Sequence, residues 1–437
     1  MDLRGQLAGK KITVMGLGLL GRGVGDTKFL AEQGAELIVT DLKSKEELAS
    51  SLEVLKDFSN ITYVLGEHRL EDFRSRDFIL KAAGVPLDSV YIQEAEKTGI
   101  PIKMSASWFA ELAGVPVVGV TGTRGKSTTT HMVHAIMQQA GMKVLLGGNV
   151  RGVSTLALLD EVTPEHYALF ELDSWQCQGF GDAKMSPQLA VFTTFMADHM
   201  VYYKDDMEVY LRDKAQIFMH QKPGDTLVLG SQCEEVVREA YGSKLVGEVI
   251  VASDTVLPAD WQLRVPGIHN RYDAGLALAT ARVLGIPDEV SREALETFAG
   301  VPGRLEFLRE VGGVKIYNDT NATTPDATLA ALRALPKGRV MLIMGGSDKG
   351  LDMSELIAEL PHLTKNVFLL AGTGTDRIKD KVRNTTIYGS VSDAVQAAVS
   401  VAEEGDVVLL SPAFASFGMF KNEYDRGDQF NVIVREL

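Results

Sequence analysis

Short apolar runs and amphipathic stretches alternate along the whole chain, with glycine-rich turns between them. The first run, Lys11-Ile12-Thr13-Val14-Met15, predicts a strand. Phe29, Leu30 and Ala31 belong to the helix that follows, and residues 36–40 predict a second strand ending at Asp41. Phe78-Ile79-Leu80 is a further strand and leads into Ala82-Ala83-Gly84. The β-branched run at 115–120 reads as a buried strand, after which Met132/Val133, Ile136/Met137 and Ala140 recur at helical spacing. Strands are predicted at 143–146, 167–170 and 188–194, an amphipathic helix at 205–220 and an alanine-rich helix at 274–284. The last third repeats the alternation, with strands at 314–317, 340–344, 367–370 and 407–410 and a helix start at Thr324-Pro325.

Two of the turns carry candidate chemistry. Thr121-Gly122-Thr123-Arg124-Gly125-Lys126-Ser127-Thr128 stands between a strand and a helix, the context of a phosphate-binding loop. Its backbone N–H groups would face an anion, Lys126 would reach the β- and γ-phosphates, and the Ser127 hydroxyl would ligate Mg2+. Val120 stands where the strict pattern has its first glycine. Gly16-Leu17-Gly18-Leu19-Leu20-Gly21 with Asp41 forms a dinucleotide-type βαβ fingerprint, which alone indicates NAD or another nucleotide. A simple dehydrogenase would leave the second loop unexplained. Alternating strands and helices predict an α/β protein of three domains. These are a Rossmann-like domain over 1–104, a central P-loop ATPase-like parallel sheet over 105–300 and a Rossmann-like C-terminal domain over 301–437.

Ligands of open α/β sheets sit beyond the carboxyl ends of the strands, which places Glu171 and His199 on the rim of Lys126 and Ser127. A carboxylate, an imidazole and a hydroxyl beside triphosphate suit Mg2+. Within 205–220, Met207, Leu211, Lys214 and Phe218 fall on one stripe, so a lysine lies among apolar positions. It either snorkels or is buried with a depressed pKa, and its spacing leaves both readings open. Gly-rich loops at 345–350 and 371–374 and the loop at 411–416 face a ligand on the third sheet, where only Lys349 and Ser416 exceed a structural reading.

Composition narrows the partners. The 437 residues are 45% hydrophobic and 23% charged with a net charge of −14, which argues against nucleic acid and acidic membranes. Two cysteines, Cys177 and Cys233, have no metal-motif spacing. The opening Met1-Asp2-Leu3-Arg4-Gly5 has no apolar signal segment, and no run of apolar residues is long enough to span a membrane. A cytoplasmic protein is expected.

Taken together, the phosphate loop, Glu171-Leu172-Asp173-Ser174-Trp175-Gln176, Asp198-His199, Lys214, His269-Asn270, Gly303-Arg304 and Asn318-Asp319 resemble the Mur ligases over essentially the whole chain. Gly345-Gly346-Ser347-Asp348-Lys349-Gly350 and the stretch from Ser411 to Asn422 resemble the glutamate-adding members most. The resemblance implies an ATP-dependent amide ligase that adds D-glutamate to UDP-N-acetylmuramoyl-L-alanine through an acyl phosphate. The alternatives are another muramyl substrate, L-glutamate, or a folylpolyglutamate synthetase-like reaction. Residue by residue, it implies ATP contacts from Gly122, Thr123, Gly125, Lys126, Ser127, Thr128, Asn270, Arg304 and Asp319. Leu19, Leu20, Asp41, Gly84 and Asn149 match the UDP-substrate end, and Thr323, Lys349 and Ser416 the glutamate pocket. Two Mg2+ sites are implied, held by Ser127, Glu171, His199 and a carbamylated Lys214, with Lys126, His199 and Lys214 as the catalytic set. A monomer with no nucleic-acid partner is implied. The chain departs from the family pattern at Ala82-Ala83, Asp173, Asp273, Asn321 and Glu423.

Overall fold

The structure is a computed structural model; it describes residues 3–19, 21–86, 88–382 and 385–437. Among the described residues, three sheets account for the predicted strand–helix alternation. The first holds β1 (Lys11–Met15), β2 (Glu36–Asp41), β3 (Ile61–Leu65), β4 (Phe78–Lys81) and β5 (Ile102–Lys103) in the order β3-β2-β1-β4-β5, all parallel. Helix α1 (Arg22–Glu32) leaves the glycine turn after β1, and α2 (Ser105–Ala113) follows β5.

The second sheet holds β6 (Val117–Thr121), β7 (Lys143–Gly148), β8 (His166–Glu171), β9 (Leu189–Phe192), β10 (Thr226–Gly230) and β11 (Glu248–Ala252). Its order is β11-β10-β9-β6-β8-β7, again parallel throughout. β6 is buried at every position, as a central parallel strand with both faces covered must be. Helices α3 (Lys126–Gln139), α4 (Ser174–Asp182) and α5 (Met207–Ala215) carry or flank its upper rim. Helix α5 is shorter than the predicted 205–220: it stops at Ala215, and at its start Asp206 caps it through Oδ1, which accepts from Glu208 N and Val209 N. One apolar core runs through the first two sheets, joining Trp108 and Phe109 to Phe170 and Phe180.

The third sheet holds β12 (Glu306–Val311), β13 (Val314–Asn318), β14 (Val340–Gly345), β15 (Thr364–Leu370), β16 (Thr386–Tyr388) and β17 (Val407–Leu410), ordered β12-β13-β17-β14-β15-β16. It is mixed. β12 pairs antiparallel with β13 through Gly312-Gly313, both at positive φ, which is the two-residue hairpin turn whose twist matches its strands. Helix α6 (Pro325–Arg333) starts at Thr324-Pro325 as the sequence indicates, and α7 (Glu423–Arg435) ends the chain. The chain divides into two compact units, one running to Leu257 and including Asp273–Ser291, the other made of Pro258–Tyr272 and Arg292–Leu437. No helix of the described residues is long and apolar enough to cross a membrane.

Candidate active site

The loop between β6 and α3 is held open by the segment after β9. Thr123 N donates to Thr194 O at 2.7 Å, Arg124 N to Thr194 Oγ1 at 2.9 Å, and Thr193 Oγ1 to Arg124 O at 2.5 Å. Arg124 also pairs with Asp198 at 2.7 Å. Two of its residues have to be glycine. Gly122 sits at φ 142°, where a Cβ would lie 2.0 Å from Thr193 Oγ1; Gly125 sits at φ 82°, where a Cβ would lie 2.3 Å from Asp273 Oδ1. The result is a cradle at the N-terminus of α3, with Ser127 and Thr128 in its first turn.

Two lysines point onto this cradle. Lys126 Nζ donates to Thr123 O at 3.1 Å, and Lys214 Nζ donates to Gly122 O at 2.7 Å. Lys214 is 1% exposed and its ammonium stands 4.8 Å from the centre of the Tyr210 ring. It therefore does not snorkel. Burial first, then the charge of Lys126, brings its pKa down to about 7.

Glu171 ends β8 in a buried position, and Asn149 is fastened to it twice: Asn149 N donates to Glu171 O at 2.7 Å and Asn149 Nδ2 to Glu171 Oε1 at 3.1 Å. Asn149 Oδ1 accepts from Arg22 Nη1 at 2.5 Å. His199 sits in the left-handed region at φ 56°, with its ring 4.7 Å from that of Trp175 and its Nε2 3.7 Å from Asp198 Oδ2. Burial lowers its pKa, against the pull of Asp198, so the imidazole favours the neutral form a metal ligand needs. A cleft of about 450 Å³ opens beside it, lined by Pro86, Asp88, Val201, Tyr202 and Lys204.

At the first sheet, Asp41 is buried and both its oxygens accept main-chain hydrogens, from Gly18 N at 3.0 Å and Lys43 N at 2.9 Å. Its carboxylate thus shapes the glycine loop. Leu19 is half exposed, Gly84 is exposed at φ 79°, and Leu20 lies outside the described residues. Ala82 packs against the loop, 2.8 Å from where a Cβ on Gly16 would be.

In the second unit, Lys349 Nζ donates to Thr323 Oγ1 at 3.3 Å. A bridge between Ser347 and Ala415 sets the glycine loop after β14 beside Ser416, which is buried. Asp319 accepts from Leu305 N and from Ser411 Oγ, and burial raises its pKa to about 7. Arg304 is exposed; Asn270 is buried and donates to Pro266 O at 2.6 Å.

The sequence left Arg22 and the role of Asp173 unread. Arg22 follows the glycine fingerprint directly, and position was the only signal it gave. Asp173, a departure from the family pattern, caps α4 by a reciprocal pair: Gln176 N donates to Asp173 Oδ1 and Asp173 N to Gln176 Oε1.

Three family models match the chain: the MurD-like N-terminal domain of Mur ligases over residues 10–104, the Mur ligase middle domain over 120–280 and the Mur ligase glutamate ligase domain over 303–414. A UDP-N-acetylmuramoylalanine–D-glutamate ligase of Roseiflexus sp. is 37% identical over 99% of this chain and 100% of its own length. The solved MurC of Thermotoga maritima, a UDP-N-acetylmuramate–alanine ligase, covers 98% of this chain and 99% of its own at 19% identity and a TM-score of 0.63. The MurF ligase of the same organism, solved with ADP, covers 99% and 97% at 17% identity and a TM-score of 0.61.

Proposed function

Because the chain belongs to the Mur ligase family, we propose that it joins the amine of D-glutamate to the alanyl carboxylate of UDP-N-acetylmuramoyl-L-alanine, converting ATP to ADP and phosphate. The observation that supports the chemistry most is the glycine cradle at the start of α3 with Lys126 and Lys214 both directed onto its carbonyls. A carboxylate is a poor electrophile, so its oxygen first attacks the γ-phosphorus and ADP leaves. The amine of glutamate then attacks the acyl phosphate carbon, loses a proton, and phosphate departs from the tetrahedral intermediate. Bringing two anions together requires fixed positive groups where charge grows in the transition state, the place Lys126 and the α3 N-terminus occupy.

The donor set fits Mg2+. Ser127 and Glu171 offer the hard oxygens it prefers, the neutral imidazole of His199 adds a nitrogen, and the ion needs no all-protein cage because it retains waters. When bound, Mg2+ neutralises phosphate charge and orients the γ-phosphoryl group. The remaining ligand is a carbamate on Lys214: its neutral amine adds to CO2 and releases a proton, turning a buried cation into an anionic oxygen donor. The glycine loop after β1 takes the UDP end, and the loops carrying Thr323, Lys349 and Ser416 take glutamate. The enzyme acts in the cytoplasm as a monomer.

A phosphate-release assay with UDP-N-acetylmuramoyl-L-alanine and a panel of amino acids tests this directly. D-glutamate should give ADP and phosphate in equal amounts, and L-glutamate, D-aspartate and L-alanine little. Phosphate release only with L-glutamate, or only with a folate acceptor, would replace the substrate assignment. Release with no acceptor tried would sink the ligase reading.

A further inference from the structure

Arg22 has no role in the reading above. It opens α1 directly after Gly21, and its guanidinium holds Asn149 Oδ1 while the other end of that amide, Nδ2, donates to Glu171 Oε1. This amide orientation follows from the partners. A guanidinium only donates and a carboxylate only accepts, so a flipped Asn149 would set donor against donor and acceptor against acceptor. The main chain of Asn149 is already fixed by its N–H to Glu171 O, which leaves the rotation of the side chain for Arg22 to set.

We propose that Arg22 is a positioning residue for the ligase reaction, acting through Asn149 to aim the Glu171 carboxylate at the cation that accompanies ATP. With Oε1 engaged by the amide, Oε2 is the oxygen presented to the metal. The inference rests on the ligase reading and on Glu171 as a metal ligand. It also joins two sites: the glycine loop assigned to the UDP end and the metal carboxylate are linked by two consecutive hydrogen bonds. Outer-shell groups of this kind typically change metal affinity or activity about 10- to 100-fold when removed.

The docking of α1 does not rest on Arg22 alone. Asp26, one turn on, accepts from Ser105 Oγ at 2.9 Å, Ser154 Oγ at 2.6 Å and Leu156 N at 3.3 Å, and Gly25 packs where a Cβ would lie 2.5 Å from Ser154 Cβ. Arg22 also lends its charge to the buried Asp26, so Arg22→Lys, which keeps that charge, separates the positioning role from a folding one.

The test compares Arg22→Leu, Arg22→Lys, Asn149→Ala and the Arg22→Leu/Asn149→Ala double variant. Mn2+ binding is read by electron paramagnetic resonance in the presence of a non-hydrolysable ATP analogue, alongside kcat, KM for the acceptor and thermal unfolding. Arg22→Leu should weaken Mn2+ and lower kcat by roughly tenfold or more in a protein still folded at the assay temperature, and Arg22→Lys should recover part of both. In the Asn149→Ala background, Arg22→Leu should add nothing, because the path is already cut. Mn2+ affinity and kcat within about twofold of wild type overturn the proposal. So do losses that multiply in the double variant, which would put Arg22 on the acceptor itself. If Arg22→Leu does not fold, Arg22→Gln takes its place in every comparison. Failure of wild type to release ADP would overturn the ligase reading, whereas normal wild-type turnover with indifferent Arg22 variants overturns the positioning role alone.

Discussion

An ammonium at Lys214 would be fully buried beside the charge of Lys126, and both effects favour the neutral amine, whose pKa of about 7 leaves a large fraction free to add CO2 at neutral pH. Lys214→Ala should therefore lose activity by roughly a hundredfold or more, on the scale of removing one charge-stabilising group from a site. A small carboxylate such as acetate should restore part of it by occupying the vacated space, while chloride at equal concentration should not. Rescue by chloride, or full activity in Lys214→Ala, would return the lysine to a packing role. This residue was legible in the sequence because helical spacing put a lysine on an apolar stripe. Arg22 was not, since its contact joins α1 to the end of β7 and no local period records such a pairing. Asp41 shows the opposite limit. The fingerprint marks it as the acidic residue of a nucleotide site, and here one of its oxygens accepts from Gly18 N of the glycine loop and the other from Lys43 N just beyond β2.

Several interior strands were read because burial on both faces leaves a continuous apolar run, as in β6 and β14, although β10, buried at every position, went unread. Edge and short elements were not: β3, β5 and β16 carry exposed or half-exposed positions that blur the pattern, and the β12–β13 hairpin went unread despite its Gly312-Gly313 turn. Helix ends depend on caps, and α4 shows what a cap can explain. Asp173 departs from the family pattern and closes a capping box on α4. Burial raises its pKa, so the folded state holds a proton in a window where the unfolded chain has lost it. By linkage the stability contributed here is greatest below the unfolded value of about 4 and declines as pH rises toward the folded value. Asp173→Ala removes the cap and should cost about 1 kcal/mol. Asp173→Asn keeps the cap without the charge, so relative to wild type it should gain stability as pH is raised from about 4 to 8. Thermal melts of the three proteins at both pH values decide it; a wild-type advantage that grows with pH would show that Asp173 is stabilised as a carboxylate.

At the scale of the whole chain, sequence periodicity marks sheets but does not say which sheets share a core. Three alternating blocks predict three domains; the packed side chains of the first two sheets form one continuous apolar cluster, and Asp26 ties α1 to Ser105 and Ser154 across them. The third sheet has its own cores, one on each face, built on Leu342 and Leu409 and on Ile343 and Leu410. Such an arrangement should unfold in two cooperative blocks, with β1 and β6 opening together. A ligand that binds only the native form of one block stabilises that block by about 2.7 kcal/mol at a hundred times its dissociation constant. Saturating UDP-N-acetylmuramoyl-L-alanine, without ATP or glutamate, should therefore slow hydrogen exchange in peptides of β1 and β6 by the same factor and leave β14 and β17 unchanged. Native-state exchange read by mass spectrometry separates the cases. Protection of β1 without β6 would mean that the shared core does not couple the first two sheets. Equal protection of β14 would mean that the acceptor engages the second unit even in the absence of nucleotide.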